Sequence, residues 1–362
     1  MSMLDVLVSS SLILIGFLGL VGGGEILVRA AAALAAAMRI SPLVVGLTVV
    51  AFGTSAPELA VTVQSVWADA ADLAVGNVVG SNIANILLVL GVAALVSPLV
   101  VHERVRRIDL PLVILASAGV WLLALDRRIG HWDGLLLCLL LFGYLVWSVR
   151  QGRREALEPL VSAGGALDPP GAMVLLRELA RLLVGLVLLA MGGRLLVMGA
   201  VDIARVLGVG ELVVGLTLVA VGTSLPEVVT SVIAGLRGHR DIAVGNLIGS
   251  NLFNLLAVLG IGAATSPSGI PVLRAVLKLD LPIMILTTLA CIPAFVAGRV
   301  GRRTGAVFLA YFICYLIYVV LRATQSPFRQ TFEMGMLGVA FPLTLIAMTV
   351  AVYPLLRRRF SD

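Results

Sequence analysis

Apolar residues run in long blocks along the chain, divided by short charged or Pro/Gly-containing breaks. They predict helices at about 5–36, 41–66, 72–97, 108–125 and 132–149, then at about 174–200, 210–236, 241–266, 277–297, 304–322 and 335–356. Each block is close to the ~20 residues that a helix needs to cross a bilayer. The pattern is five spans, five more and one extra. Residues 150–173, between the fives, carry Arg150, Arg153, Arg154, Glu155 and Glu158, then Asp168, Pro169 and Pro170, and read as a polar linker. The first block continues into more helix without a small-residue cleavage site, so it reads as a membrane helix and not as a removable leader.

A second pattern lies over the first. Shifted by 169 positions, Val44 to Gly91 matches Val213 to Gly260 at 26 of 48 positions. The matched residues are mostly Gly, Thr, Ser, Pro, Glu and Asn, which shared apolar composition does not produce, so the chain is an internal duplication. Five spans is an odd number, and the second copy therefore enters the membrane from the opposite face. The fold expected is an all-α polytopic membrane protein of two inverted five-helix repeats with an eleventh C-terminal span. Its divisions are a first repeat over 1–149, the linker over 150–173, a second repeat over 174–322, and the extra span with a basic tail over 323–362.

Composition sharpens the class. Sixty per cent hydrophobic and thirteen per cent charged residues lie outside the range of soluble domains. The net charge of +6 comes from basic clusters at span ends, which orient a membrane protein, and does not indicate a nucleic-acid partner. With the N-terminus outside, 17 Arg and Lys fall on the cytoplasmic face and 7 on the other, which places the C-terminus inside. Cys138, Cys291 and Cys314 stand singly in apolar runs and read as packing residues.

The candidate chemistry sits in the middle of each copy. Glu58 and Glu227 lie deep in the second and seventh spans, where an unpaired carboxylate is costly and no Lys or Arg is close in sequence. Pro57 and Pro226 remove the helical partner of the carbonyls of Gly53 and Gly222, so both helices should break at mid-membrane beside Thr54, Ser55, Thr223 and Ser224. Asn77, Ser81 and Asn85 form one polar stripe on the third span, and Asn246, Ser250 and Asn254 repeat it on the eighth. Gly76, Gly80, Gly245 and Gly249 should let these helices approach closely. Together they offer an all-oxygen site with two carboxylates, suited to calcium, whereas His102, His131 and His239 fall in loops. Asp72 and Asp241 read as helix N-caps, and Glu25 with Arg29 as an i,i+4 pair.

Gly53 to Glu58 with Gly76 to Asn85, repeated as Gly222 to Glu227 with Gly245 to Asn254, resembles the two alpha-repeats of the sodium/calcium exchanger family of the cation/calcium exchanger superfamily. The resemblance implies a bacterial inner-membrane calcium/sodium antiporter, a monomer without cofactors and not an enzyme, working between calcium, sodium and the lipid bilayer. It makes Glu58 and Glu227 the calcium ligands with the carbonyls of Thr54 and Thr223. Ser55, Ser81, Ser224 and Ser250 would serve sodium with the carbonyls of Ala51 and Ala220, while Asn85 and Asn254 would line the centre. The first and sixth helices, at Gly22 to Gly24 and Gly192-Gly193, would slide as the gate. Potassium-dependent relatives carry Asp where this chain has Asn254, which argues against potassium coupling.

The function expected is exchange of calcium for sodium by alternating access at a midplane site. Calcium/proton exchange is the alternative, although the proton-coupled branch carries a Glu after the Gly-Asn pair where this chain has Val78, Val79 and Gly80. A channel is disfavoured by the duplication within one chain. An intramembrane hydrolase would need His or Asp at mid-span, and there is none.

Overall fold

A computed structural model describes residues 3–68, 71–162 and 171–336, with 338, 342–344 and 346 beyond them. Long apolar runs give long helices: α1 (Met3–Met38), α5 (Val105–Asp126), α6 (His131–Ser162), α7 (Ala172–Val206), α10 (Arg240–Thr265), α11 (Val276–Val296) and α12 (Arg302–Ala323). Helix α4 runs over Ala71–Ala84, through a π turn at Asn85–Val89, into Leu90–Val96.

Two spans are interrupted. In the first, α2 (Pro42–Thr54) stops at Ser55, and α3 (Ala56–Trp67) restarts with Pro57 in its first turn at a bend of 43°. In the second, α8 comprises Glu211–Val214, a π turn at Gly215–Val219, and Ala220–Thr223, and α9 (Leu225–Leu236) restarts beyond Ser224 with Pro226 in its first turn. Each proline lacks the N–H that would continue the ladder, so both breaks fall where the sequence places them. Among the described residues eight helices are long and apolar enough to cross a membrane, or nine when α2 and α3 count as one.

Two sequence expectations change. Residues 150–162 continue α6 as helix, because Arg, Gln and Glu at helical spacing sustain it and Gln151 donates to Glu155 one turn on. Asp241 lies in the first turn of α10, and the cap position belongs to His239. The Asp72 side chain, the centre of the linker at 163–170 and most of the eleventh span with Arg357 to Arg359 lie outside the described residues. A short helix α13 (Arg329–Gly335) is described after α12.

The duplication reaches further than its identical residues. Beyond the matched windows the offset becomes 171. Strands β1 (Leu99–Val100) and β2 (Arg128–Ile129) correspond in this way to β3 (Ile270–Pro271) and β4 (Arg299–Val300). β1 pairs antiparallel with β4, and β2 with β3, so each short ladder ties one copy to the other. Arg127 and Gly298 take the same left-handed turn one residue ahead of β2 and β4.

Helices α1 and α7 pack along each other through backbone. A Cβ on Gly16 would stand 2.7 Å from the Gly192 carbonyl, and one on Gly23 would stand 2.9 Å from that of Gly185. Side chains at those positions would force the helices apart. Helices α4 and α10 are the most buried of the long helices and form the centre of the molecule.

Candidate cation site

The helix breaks put both acidic residues at the start of a helix. Glu58 lies in the first turn of α3 and Glu227 in the first turn of α9, where unpaired backbone N–H groups and the helix dipole favour negative charge. Both are 1% exposed and feel each other's charge, yet no Lys or Arg pairs with either among the described residues. Glu58 Oε2 and both Glu227 carboxylate oxygens have no hydrogen-bond donor within the described protein.

The remaining candidates lie on the same two helix breaks and on the polar stripes of α4 and α10. Thr54, Ser55, Ser81, Asn85, Ser224, Ser250 and Asn254 are buried, and Thr223 is half-buried. The hydroxyls of Ser55 and Ser224, Nδ2 of Asn85 and both amide atoms of Asn254 are unpartnered, as are the carboxylate oxygens named above. Leaving such groups unpaired in a buried setting costs ~1–3 kcal/mol each. A cation with its ligand oxygens is the chemistry that compensates them. Among the described residues no group of three or more His, Cys, Asp and Glu converges, so the donor set is two carboxylates with neutral oxygens. Such a set suits a hard cation.

Hydrogen bonds from neighbouring side chains hold several of these groups. Asn77, on α4, donates from Nδ2 to the Glu58 carbonyl at 3.0 Å and to the Thr62 hydroxyl at 2.9 Å. Asn246, on α10, donates to the Ser231 hydroxyl at 3.1 Å and accepts from the Thr54 hydroxyl at 3.0 Å. The Thr54 and Ser250 hydroxyls lie 3.3 Å apart. Asn77 and Asn246 are thus scaffold, and Asn82 and Asn251 fold back onto the carbonyls of Val78 and Leu247 in their own helices. The Ala51 carbonyl accepts from the Ser55 N–H at 3.0 Å, and the Thr54 hydroxyl oxygen lies 3.4 Å from it. Ala220 opens the last helical piece of α8, and its side chain lies outside the described residues.

Sequence reasoning passed over several features. Thr62 and Ser231, one turn beyond the carboxylates and matched at the 169-residue offset, look like ordinary small residues until the partners Asn77 and Asn246 are known. The π turns were not signalled either. They occupy Gly46–Val50 and Gly215–Val219 just ahead of the breaks, and Asn85–Val89 and Asn254–Val258 begin on the two central asparagines. Such turns disturb the regular ladder and recur at functional positions. Of the four glycines expected to allow close approach, Gly245 and Gly249 do so: Cβ atoms there would lie 2.6 Å from the carbonyls of Leu43 and Leu47 on α2. At Gly76 and Gly80 no described atom lies within 4 Å.

Comparison with known proteins points the same way. Residues 8–150 and 178–321 match the sequence model of a family described as sodium/calcium exchanger protein. The putative antiporter CaxA of Alkalimonas amylolytica is 38% identical over 85% of this chain and 98% of that protein. The inner membrane protein YrbG of Escherichia coli K12 is 35% identical over 86% of this chain and 96% of that protein. A solved structure of the sodium-calcium exchanger NCX_Mj, soaked in sodium without calcium, superimposes with a TM-score of 0.74 at 28% identity, covering 85% of this chain and 97% of that one.

Proposed function

Because this chain belongs to the sodium/calcium exchanger family of membrane transporters, we propose that it exchanges calcium for sodium by alternating access at Glu58 and Glu227. The observation that carries this reading is the pair of buried carboxylates, each at a helix break, with no basic partner among the described residues and with unpartnered oxygens of their own. One calcium neutralises the formal charge of −2, and sodium ions do the same in competition for shared ligands. Only a neutralised site crosses a dry barrier at low cost, and this enforces exchange.

In this reading Glu58 and Glu227 hold calcium with the carbonyls of Thr54 and Thr223. Ser55, Ser81, Ser224 and Ser250 serve sodium with the carbonyls of Ala51 and Ala220, and Asn85 and Asn254 line the centre. The two copies are inverted five-span repeats, 1–149 and 174–322, joined by 150–173 and followed by an eleventh span. The chain lies in the bacterial inner membrane as a monomer, with its N-terminus outside and its C-terminus in the cytoplasm.

Calcium-45 uptake into proteoliposomes tests it, with sodium-loaded vesicles compared against potassium-loaded and acid-loaded ones. Uptake that requires internal sodium and vanishes in Glu58→Gln supports the assignment. Uptake driven by the proton gradient and indifferent to sodium moves the chain to calcium/proton exchange.

A further inference from the structure

The two copies are alike in sequence but are not packed alike. On α1, Gly24 lies against α9: a Cβ there would meet Ile233 at 2.8 Å and Val229 at 3.0 Å. The matching glycine on α7 is Gly193, and its matching neighbours on α3 are Ala60 and Gln64. Gly193 does not touch them; the atoms nearest its Cβ position belong to Gly222, Leu20 and Pro226, at 3.7 Å or more. Ala60 and Gln64 are accordingly exposed, whereas Val229 and Ile233 are half-buried. The next position repeats the contrast, with Thr230 fully buried and Val61 39% exposed. Helix α1 therefore closes over α9 on one side of the carboxylates, while α3 stands uncovered on the other.

An ion pair ties the closed side. Arg237 is the residue that ends α9, fixed by its own N–H on the Ile233 carbonyl at 2.9 Å and by the left-handed turn at Gly238. Its guanidinium grips Glu25 of α1 with both arms, Nη2 to Oε1 at 2.6 Å and Nε to Oε2 at 2.9 Å. Arg29, one turn along α1, also reaches Oε1 at 2.6 Å, so the expected Glu25–Arg29 pair is one side of a three-residue cluster. A two-armed Arg–carboxylate contact fixes geometry as well as distance, which a single surface pair does not.

We propose that Glu25 and Arg237 form a one-sided latch that holds the transporter closed on the Arg237 face, the cytoplasmic face in the orientation given above. The inference rests on the exchange reading, in which the opposite access state arises when the two copies trade their packing arrangements. In that state α7 covers Ala60 and Gln64, and α1 leaves α9, which parts Glu25 from Arg237. Nothing replaces the bond, because the positions matching Glu25 and Arg237 are Arg194 and Ala68. The latch stabilises one access state alone and sets the resting preference of the cycle. It also links the tip of α9 to the gate helix without touching the ion site.

Gln64 is the reporter, because it is exposed here and covered in the opposite state. The experiment uses the full chain in lipid nanodiscs, with Cys138, Cys291 and Cys314 replaced by Ala and Gln64→Cys added, and follows labelling by a polar maleimide. Arg237→Gln and Glu25→Gln are expected to slow labelling by about 2- to 5-fold, the range for losing a partly exposed ion pair. Glu25→Arg combined with Arg237→Glu should restore the rate, and Arg29→Gln should leave it unchanged. Unchanged labelling in Arg237→Gln and Glu25→Gln, or equal slowing by Arg29→Gln, overturns the latch. Sodium and calcium are added to the latch-intact reporter in parallel. A labelling rate indifferent to both ions overturns alternating access itself, whereas ion-sensitive labelling unaffected by the latch variants overturns the latch alone.

Discussion

Thr54, in the first copy of the duplicated motif, donates its hydroxyl hydrogen to Oδ1 of Asn246, in the second copy, across 3.0 Å. The two residues are 192 positions apart, and the bond joins the broken span of one copy to the polar stripe of the other. Since Asn246 spends its Nδ2 on Ser231, the chain Thr54–Asn246–Ser231 spans the place where the copies meet. Thr54→Val should lower stability by about 1–3 kcal/mol, because it strands a buried amide oxygen. Asn246→Ala on top of it should add only what the Ser231 bond contributes. A double-mutant cycle on thermal unfolding is expected to return a coupling of at least ~0.5 kcal/mol. Simple additivity would mean that the bond does not link the copies.

The carboxylates make a different prediction, because their burial without a cationic partner is a cost of the cation-free protein. Calcium should raise the unfolding temperature of the wild type, with about 2.7 kcal/mol expected at a calcium concentration 100 times the dissociation constant. Glu58→Gln and Glu227→Gln should each abolish the calcium-dependent shift while leaving the cation-free protein no less stable than wild type. A retained calcium shift in both variants would place the cation elsewhere.

Much of this site can be read from residue identity, and the reasons are local. Proline removes the N–H that would continue the helical ladder, a local effect, so the interruptions at Ser55 and Ser224 were visible, and with them the placement of Glu58 and Glu227. What stayed hidden depends on pairing across the molecule. Asn77 and Asn246 are equivalent in sequence, yet one holds a backbone carbonyl beside Glu58 and the other bridges the two copies. No sequence period reveals such differences, because they depend on contacts between residues far apart in the chain. The π turns escaped for another reason: one extra residue per turn leaves the apolar pattern almost unchanged.

The α1–α7 contact predicts a graded response to the smallest substitution. Gly23→Ala puts a methyl 2.8 Å from the Leu189 backbone nitrogen and 2.9 Å from the Gly185 carbonyl, neither of which can rotate away. Overpacking of this kind costs ~1–3 kcal/mol. Gly22→Ala, next door, meets no described atom within 4 Å, and should be neutral or better through the helix propensity of Ala. Thermal unfolding of the two variants side by side checks the close approach. Equal stabilities would show that α1 and α7 separate without cost.

Helices α5 and α11 supply the last prediction. Asp109 and Asp280 each end a π turn at matching positions, just ahead of Pro111 and Pro282, and each faces an arginine. Arg104 reaches Asp109 at 3.6 Å with both side chains almost wholly buried, and its guanidinium also stacks 4.9 Å from the Trp147 ring and bonds the Ser148 hydroxyl. Tyr144 donates to Asp109 at 3.0 Å. Arg322 instead reaches Asp280 from α12 at 2.9 Å, with 27% of its side chain exposed. Removing one member of a buried pair leaves the other charge without water or partner, a loss of ~3–5 kcal/mol. Arg104→Met should therefore destabilise far more than Arg322→Met, where water can reach the carboxylate left behind. Arg104→Met combined with Asp109→Leu should recover most of the loss, because the buried charge is then gone as well. Unfolding measurements on the three variants decide it. If Arg104→Met and Arg322→Met cost the same, burial does not set the strength of these pairs, and the basic residues ahead of α5 act through membrane orientation alone.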